Sequence, residues 1–342
     1  MPFKVLAIGD KFIPASYYQD QLKLLQAKHS EVSDIELVTV EWNQDKFEQH
    51  RLQQIMEWEG ANAVEAPAEI VAAVSDVDAI CMHFAPIGNA VIEAAPKLSM
   101  IVAARAGLEN VDQEFASEQG IAVSGVAGRN ASAVAELAIG LMLSECRNIS
   151  RADQSIKSGQ WRKQFPVPMV ELGDSTIGVI GWGQVAQRLA EKLRGLAGRI
   201  LVHDPYAENQ DIEKAGATPA SFDEIFTDSD FVHIMARLTE ETERFIGKKQ
   251  FEMMKPTAYF INTARSRLVD YEAMLEALQS ESIAGAGLDV FDDEPLAEDS
   301  PWRDLDNVTL TTHYGGDTIG TNTTSARLVM ETIVNLRRTK GA

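Results

Sequence analysis

Cysteines are few in this 342-residue sequence, and long apolar runs do not occur. The two cysteines, Cys81 and Cys146, form no C-x-x-C pair, which argues against a disulfide framework or a thiolate metal site and favours a reducing cytoplasm. No uninterrupted stretch of about 18 apolar residues is present, and the opening MPFKVLAIGD is too soon interrupted for a signal-peptide core. The sequence therefore predicts a water-soluble, cytoplasmic chain with no membrane span and no metal.

Basic residues are also scarce. The chain has 31 lysines and arginines against 51 aspartates and glutamates, a formal net charge of −20 and a pI of about 4.7. Such a charge repels nucleic-acid phosphates and anionic membrane surfaces, so neither is an expected partner. An anionic substrate would need a locally placed cation working against this field, which makes any pocket arginine informative.

What the sequence does contain is a regular alternation of short apolar runs and helix-length amphipathic segments. Its length suits roughly two domains of 100–200 residues. The alternation occurs in two blocks, before about residue 126 and from Ser175 onward, and is typical of β-α units around a parallel sheet. Between them, residues 129–159 predict one long helix that would join the domains, a pattern equally compatible with a plain core helix. The predicted fold class is α/β, with two doubly wound parallel sheets.

The stretch VIGWGQVAQ follows an apolar run and precedes a helical pattern. A Rossmann turn needs a glycine where the strand bends, a second where backbone approaches a pyrophosphate, and a small residue where the helix packs on the strand. Gly181, Gly183 and Ala186 supply these three. The phosphate would then lie at the helix N-terminus, where Gln184 and Val185 offer the nearest amides.

The residue that gives this turn its significance is Asp204. It ends the next predicted strand, in ILVHDPY, 21 residues after Gly183. A carboxylate at that position accepts hydrogen bonds from a ribose diol and repels a 2′-phosphate, so the expected cofactor is NAD and not NADP. The alternative is a tight turn followed by a surface aspartate.

Three later predicted strands end in side chains suited to carbonyl chemistry: Arg265 after FINTA, the run 289–294 in LDVFDDEP, and His313 in LTTHYGG. Reduction of a 2-keto acid by NADH requires a proton donor near the keto oxygen and a cation for the carboxylate. Glu294 would keep the His313 imidazole protonated and oriented, and Arg265 offers a planar fork for a carboxylate. Each residue alone also has a structural interpretation, as a solvated cap or a core histidine.

Eight segments together resemble the D-isomer-specific 2-hydroxyacid dehydrogenases. They follow one another in that family's order and spacing over nearly the whole chain: GRNASAVAELAIGLMLSECRNI, SGQW, ELGDSTIGVIGWGQVAQ, HDPY, LTEET, INTAR, GAGLDVFDDEPL and NVTLTTHYGG. Eight matched segments are far more specific than any single motif.

The resemblance implies roles for individual residues. The family's catalytic arginine, glutamate and histidine fall on Arg265, Glu294 and His313, and its contact to the nicotinamide amide falls on Asp289. Beside the glycine turn and Asp204, the resemblance places three more residues at the cofactor: Ala264, Gly315 and Gly316.

The family's substrate-carboxylate loop falls on residues 105–112, RAGLENVD. Backbone amides near Gly107 and Leu108 would hold the carboxylate, as in an anion-binding nest. Arg105 would extend toward a second acidic group of the substrate, or it would close a salt bridge at a strand end.

The resemblance further implies an architecture. Residues 1–125 would form a flavodoxin-like substrate domain, residues 126–312 a Rossmann NAD-binding domain, and residues 313–342 a C-terminal segment that returns to the substrate domain. Catalysis would occur in the cleft between the domains. The family also implies a short form without a regulatory domain and a homodimer formed largely through the cofactor domain.

Departures from the family pattern leave the substrate open. Ser266 replaces a common glycine, and Thr312 replaces a proline. Residues 235–237, Met-Ala-Arg, replace a usual histidine-x-proline, and Arg237 would approach the cofactor or the substrate, or face solvent. A phosphorylated acid such as phosphoglycerate would need extra cations, for which Arg105, Arg237 and Arg267 are the candidates. Two other functions remain possible on sequence alone: a non-catalytic NAD-sensing binding module of the corepressor type, and a formate-type dehydrogenase.

Overall fold

The chain divides into two units, each built on a parallel sheet. The computed structural model describes residues 2–165 and 167–340. Met1–Arg129 and Asp317–Ala342 form the first unit, and Asn130–Gly316 forms the second.

The two crossings between the units lie slightly later than the boundaries expected after residues 125 and 312. At the first crossing, the Val126 amide donates to the carbonyl oxygens of Ala103 and Arg105 and so continues the pairing of the first sheet. At the second crossing, the amides of residues 314 and 315 donate to the Asp289 carboxylate, which holds this segment in the second unit.

The sheet of the first unit has five parallel strands in the order β2-β1-β3-β4-β5. The strands are β1 (Phe3–Gly9), β2 (Ile35–Glu41), β3 (Ala79–Met82), β4 (Met100–Ala103) and β5 (Ala122–Gly125). The helices that connect them are α1 (Ala15–Lys28), α2 (Lys46–Glu59), α3 (Ala68–Ala73), α4 (Asn89–Glu93) and α5 (Gln113–Glu118), with short 3-10 turns at Ser30–Val32 and Ala61–Ala63.

The strand β1 of this sheet is buried on both faces. Side chains alternate across a strand, so Val5 and Ala7 of β1 pack into one apolar cluster while Leu6 and Ile8 pack into another on the opposite face. A strand buried on both faces reads as a continuous apolar run, which is the pattern of VLAI in the sequence.

The second sheet has seven parallel strands in the order β12-β11-β10-β9-β6-β7-β8. The strands are β6 (Thr176–Ile180), β7 (Arg199–His203), β8 (Thr218–Pro219), β9 (Phe231–Ile234), β10 (Tyr259–Asn262), β11 (Gly285–Leu288) and β12 (Val308–Leu310). The helices are α6 (Ala131–Cys146), α7 (Ile149–Lys157), α8 (Gln184–Leu193), α9 (Asn209–Lys214), α10 (Phe222–Asp228), α11 (Lys248–Met253) and α12 (Tyr271–Gln279), with 3-10 turns at Leu172–Asp174, Ser266–Leu268 and Pro301–Asp304.

The single long helix expected over residues 129–159 is two helices. The helix α6 ends at Cys146 and α7 begins at Ile149, because Asn148 between them adopts a left-handed conformation with φ of 53°. Asparagine tolerates that conformation better than most residues, and an α-helix cannot continue through it.

The last helix, α13 (Ile319–Lys340), packs against the sheet of the first unit. Its buried side chains Ala326, Val329 and Met330 share one apolar cluster with Val5 and Val102. Within the described residues, no helix is both long enough and apolar enough to cross a bilayer.

A histidine lies in the core of the second unit, on the central strand β9. His233 is fully buried, and neither of its ring nitrogens has a hydrogen-bond partner in the described part of the chain. Burial lowers the pKa of His233 to about 3, so the folded protein contains a neutral imidazole at neutral pH.

Replacing His233 with leucine is expected to stabilise the protein and to reduce its sensitivity to acid. A histidine in the unfolded chain has a pKa of about 6.5. Because the folded pKa lies below that value, stability is greatest above pH 6.5 and decreases as the pH falls toward 3. Because of His233, the free energy of unfolding should therefore decrease by about 1.4 kcal/mol when the pH is lowered from 7.5 to 5.5.

Denaturant unfolding of the wild type and of His233→Leu at pH 7.5 and 5.5 measures this difference. The exposed His29, changed to leucine, is the matched control and should keep the pH dependence of the wild type. Equal losses of stability in the wild type and in His233→Leu would contradict the prediction.

Candidate active site

The glycine turn follows the carboxyl end of β6. Gly181 has a φ of +98°, and a Cβ there would lie 2.8 Å from the Met235 carbonyl and from the Ala236 amide nitrogen. Its own amide donates to the carbonyl oxygen of His203 at 2.8 Å. The fold itself therefore requires glycine at position 181, through both backbone conformation and space.

Gly183, the residue preceding α8, is different. Its φ is −72°, and a Cβ added there would meet nothing within 4 Å. Nothing in the described chain requires glycine at this position, so a ligand that approaches the backbone would explain it. The first-turn amides of α8, which begins with Gln184 and Val185, have no carbonyl partner within the helix and face the same end of it.

Asp204 follows β7, the strand next to β6. Its Oδ2 accepts a hydrogen bond from the Trp182 amide at 2.7 Å, and its Oδ1 accepts one from the Tyr206 amide at 2.8 Å. Each carboxylate oxygen has a second lone pair, so Asp204 can also accept hydroxyl hydrogen bonds. The glycine turn, the N-terminus of α8 and this carboxylate fit the pyrophosphate and ribose of a dinucleotide.

Glu294 and His313 are brought into direct contact. The His313 Nδ1 lies 2.9 Å and 3.1 Å from the two carboxylate oxygens of Glu294. The Phe291 amide donates to Glu294 Oε1 at 2.9 Å and fixes the carboxylate. The side chains of Glu294 and His313 are 10% and 30% exposed, so the pair is shielded but accessible. The contact with the carboxylate fixes the orientation of the imidazole ring.

Asp289 shapes the segment that carries His313. This carboxylate is buried and accepts hydrogen bonds from the Thr311 hydroxyl at 2.6 Å, the Tyr314 amide at 3.2 Å and the Gly315 amide at 3.0 Å. These bonds lie on both sides of His313, whose φ of 52° is left-handed. Asp289 therefore stabilises a strained backbone conformation at the candidate acid/base residue. Sequence reasoning did not predict the contribution of Thr311.

Replacing Thr311 with valine is expected to destabilise the protein by about 1.5–3 kcal/mol, since a hydrogen bond to a buried carboxylate is lost without a change of shape. We expect kcat to fall more than the NADH affinity, because the backbone beside His313 loosens. Thr311→Ser restores the donor and should recover both stability and kcat. Thermal unfolding and steady-state kinetics measure the effect, and a serine variant as impaired as the valine variant would contradict this explanation.

Arg265 extends from the same edge of the sheet. The strands β10, β11 and β12 are adjacent and parallel, so the residues that follow them, including Arg265, Asp289 and His313, lie at one carboxyl edge. The Arg265 side chain is exposed, and its Nη1 donates to the Ala264 carbonyl oxygen at 2.8 Å. The buried Asn262 holds this loop by donating to the Arg265 carbonyl oxygen.

Three further arginine and serine residues noted in the sequence, Ser266, Arg267 and Arg237, have the following surroundings. Ser266 is buried and begins a 3-10 turn without a positive φ, so its Cβ causes no backbone strain. Arg267 forms an ion pair with Glu243 at 2.6 Å. The Arg237 side chain is exposed.

The predicted carboxylate loop lies in the first unit, after β4. Arg105 is buried and forms ion pairs with Glu57 at 3.1 Å and with Glu109 at 3.2 Å. The Glu109 carboxylate also lies against Gly107, where it would contact any added Cβ. Arg105 therefore forms the salt bridges that were one of its two expected roles. The Leu108 side chain lies beside Gly125.

The sequence did not predict a set of polar side chains at the carboxyl edge of the first sheet. His83 follows β3 and lies between Asp10, 3.2 Å from its Nδ1, and Arg129, 2.9 Å from its Nε2. Burial lowers the pKa of His83 to about 4. The rule that singled out the strand ends of the second unit would also have singled out Asp10 and His83 in the first.

Comparison with known proteins agrees with this geometry. Residues 139–315 match the model of the D-isomer specific 2-hydroxyacid dehydrogenase NAD binding domain. A glyoxylate reductase of Korarchaeum cryptofilum is 34% identical over 80% of this chain and 85% of that protein. A D-3-phosphoglycerate dehydrogenase of Archaeoglobus fulgidus is 37% identical over 72% of this chain, and the match spans 47% of that protein, about half its length.

A solved structure has the same fold. The NAD-complexed D-isomer specific 2-hydroxyacid dehydrogenase of Lactobacillus delbrueckii ssp. bulgaricus superimposes with a TM-score of 0.78 and 20% identity, covering 98% of this chain and 97% of that one. The predicted α/β class with two parallel sheets is confirmed.

The fold and these matches define an NAD-dependent oxidoreductase that acts on CH–OH groups. The predicted enzyme class is confirmed, and the family model confirms that the second unit contains an NAD-binding domain. The chain belongs to the D-isomer-specific 2-hydroxyacid dehydrogenase family.

Proposed function

We propose that this enzyme interconverts a small 2-keto acid and the corresponding D-2-hydroxy acid, with His313 as the acid/base. The observation that carries the proposal is the contact of 2.9 Å between His313 Nδ1 and Glu294. A carboxylate that accepts a hydrogen bond from an imidazole fixes the orientation and the tautomer of the ring. Glu294 is therefore the orienting partner. Bound NADH supplies the hydride, and His313 supplies the proton to the keto oxygen.

Arg265 is proposed as the cation that binds the substrate carboxylate, because a guanidinium fork matches two carboxylate oxygens and stays charged. Backbone amides near Gly107 and Leu108 are proposed as the second carboxylate contact. Arg105, already paired with Glu57 and Glu109, supports that loop.

The cofactor contacts are proposed from the glycine turn and the strand ends. The first-turn amides of α8 would bind the pyrophosphate, and Asp204 would accept from the ribose hydroxyls and disfavour a 2′-phosphate. The Asp289 carboxylate has a lone pair that its internal hydrogen bonds do not use, and this lone pair would accept a hydrogen bond from the nicotinamide amide. The remaining proposed contacts are Gly181, Gly183, Gln184, Val185, Ala264, Gly315 and Gly316.

A panel of 2-keto acids mixed with the protein and NADH, followed at the nicotinamide absorbance band, tests this function. We expect turnover with at least one acid, formation of the D-hydroxy acid, and a much higher KM for NADPH than for NADH. NADH binding without turnover of any acid would favour a binding module of the corepressor type. Oxidation of formate would favour the formate-type alternative.

A homodimer formed through the second unit is also proposed. Five apolar side chains of one segment are well exposed: Ile149, Ile156, Trp161, Met169 and Val170. We propose that these side chains together form the association surface of the dimer. Sedimentation should give twice the chain mass of 37.5 kDa, and Trp161→Glu combined with Met169→Glu should give the monomer. Leu24→Glu, an exposed apolar control in α1, should remain dimeric; a monomeric wild type would exclude the dimer.

A cytoplasmic location is proposed as well. Cys81 and Cys146 are both free thiols and both buried. Free thiols suit a reducing compartment, and cell fractionation tests the location.

A further inference from the structure

The carboxyl edge of the first sheet carries a set of polar side chains. Asp10 follows β1, His83 follows β3, Arg105 follows β4 and Arg129 follows β5. The strands are neighbours in the sheet, so these residues lie along one edge. In open parallel sheets this edge is where ligands bind.

Asp10, His83 and Arg129 form one hydrogen-bonded chain. Arginine is always a donor, so its Nη2 donates to His83 Nε2, and the His83 proton must lie on Nδ1 and point to Asp10. The amides of Phe12 and Ile13 each donate to Asp10 at 2.8 Å and fix that carboxylate. The Arg129 guanidinium is thus held in one orientation by a neutral imidazole.

Arg129 is a cation whose direct partners are neutral. Its second hydrogen bond is donated by Nη1 to the Ser325 hydroxyl at 3.2 Å. Within residues 2–165 and 167–340, no carboxylate lies within ion-pair distance of it, and none of its nitrogens is both buried and unpaired. Its Nε has no partner among the described residues and is not fully buried, so this donor is available to a ligand. Arg105 differs, since it already has two carboxylate partners.

The electrostatics of this position favour an anion. Burial lowers the pKa of Arg129 to about 10, and the positive charge of Arg105 is the next cause. The two guanidiniums therefore repel each other within a protein of net charge −20. Tyr18, Asp10 and Asp317 oppose this effect through charge. An anionic group at the Nε of Arg129 would relieve the repulsion.

We propose that Arg129 binds a second acidic group of the substrate, so that the preferred substrates are 2-keto acids with an additional carboxylate or phosphate. This proposal rests on the proposed function, because the keto acid supplies the ligand. It assigns substrate selectivity to Arg129, which the sequence did not single out.

Steady-state kinetics with NADH and three acids test the proposal: glyoxylate with one acidic group, oxaloacetate with two carboxylates, and phosphohydroxypyruvate with a phosphate. We expect one of the two diacids to have the lowest KM, which distinguishes carboxylate from phosphate. Arg129→Met should raise that KM about 10- to 100-fold relative to the KM for glyoxylate, as expected for loss of a charged hydrogen bond. Arg129→Lys should recover part of the selectivity.

Arg327→Met is the matched control. Arg327 lies on α13 of the same unit and is paired at the surface with Glu331. The Arg327→Met variant should keep the wild-type ratio of the KM for the preferred diacid to the KM for glyoxylate. Thermal unfolding of each variant separates a loss of fold from a loss of selectivity, and Ser325→Ala offers a milder change that keeps the Arg129 charge. Equal effects of Arg129→Met on all three acids would overturn the proposal.

A binding experiment separates this proposal from the proposed function. Calorimetry with succinate, acetate and inorganic phosphate requires no turnover. Tighter binding of succinate or phosphate than of acetate, lost in Arg129→Met, would support the anion site even if no keto acid is reduced. No difference between the wild type and Arg129→Met would overturn it even if keto acids are reduced.

Discussion

Replacing His313 with alanine is expected to lower kcat for 2-keto acid reduction by about 10²-fold or more, with NADH affinity retained. The imidazole is the proposed proton donor, and its Nδ1 is held by Glu294 at 2.9 Å. Alanine removes the donor, while the glycine turn and Asp204 stay in place. Stopped-flow NADH binding and steady-state turnover give the two quantities separately.

Three controls sharpen that experiment. His29→Ala, at an exposed position in the first unit, should leave kcat unchanged. Glu294→Gln keeps the shape but removes the charge, and it should lower kcat less than loss of the imidazole does. His313→Gln, which keeps a polar side chain but cannot exchange a proton as an imidazole does, should be as impaired as His313→Ala. Unchanged turnover in His313→Ala would refute its role.

Replacing Gly181 with alanine should destabilise the protein by about 2–5 kcal/mol. The φ of +98° is unfavourable for any residue with a side chain, and the new methyl group would lie 2.8 Å from backbone atoms of Met235 and Ala236. Backbone cannot move aside as a flexible side chain can. Denaturant unfolding without ligand measures the change.

Gly183→Ala is the matched comparison within the same turn. Its φ is ordinary and a methyl group there meets nothing within 4 Å, so the stability without ligand should change by less than about 0.5 kcal/mol. NADH binding should nevertheless weaken about 10-fold, because the methyl group would occupy space proposed for the pyrophosphate. Normal NADH affinity in Gly183→Ala would remove the proposed phosphate site from this turn.

Much of the fold could be predicted because parallel strands buried on both faces read as apolar runs. The run FKVLAIG coincides with β1, Phe3–Gly9. The two-residue strand β8, Thr218–Pro219, escaped because so short an edge strand has no apolar pattern. The break at Asn148 escaped because the apolar spacing continues across it, while the left-handed conformation depends on that single residue.

Site residues could be predicted from the sequence where a reactive side chain directly follows a strand. Residues whose role depends on contacts with distant parts of the chain could not. The sequence predicted the pairing of Glu294 with His313, and the structure contains that pair. Arg129 escaped because it lies four residues beyond β5 and acquires its role only through His83 and Ser325, which are distant in sequence. Such a chain of contacts exists only after folding.

The packing of α13 on the first sheet has a consequence for how the polypeptide acquires its structure during synthesis. The first unit is the earlier to emerge from the ribosome, yet the cluster around Val5 and Val102 is completed by Val329 and Met330, near the end of the chain. The second unit is one uninterrupted stretch and needs no later residues. The segment translated first is therefore the last to finish folding, and a premature stop before residue 317 would leave its apolar surface open to chaperones and proteases.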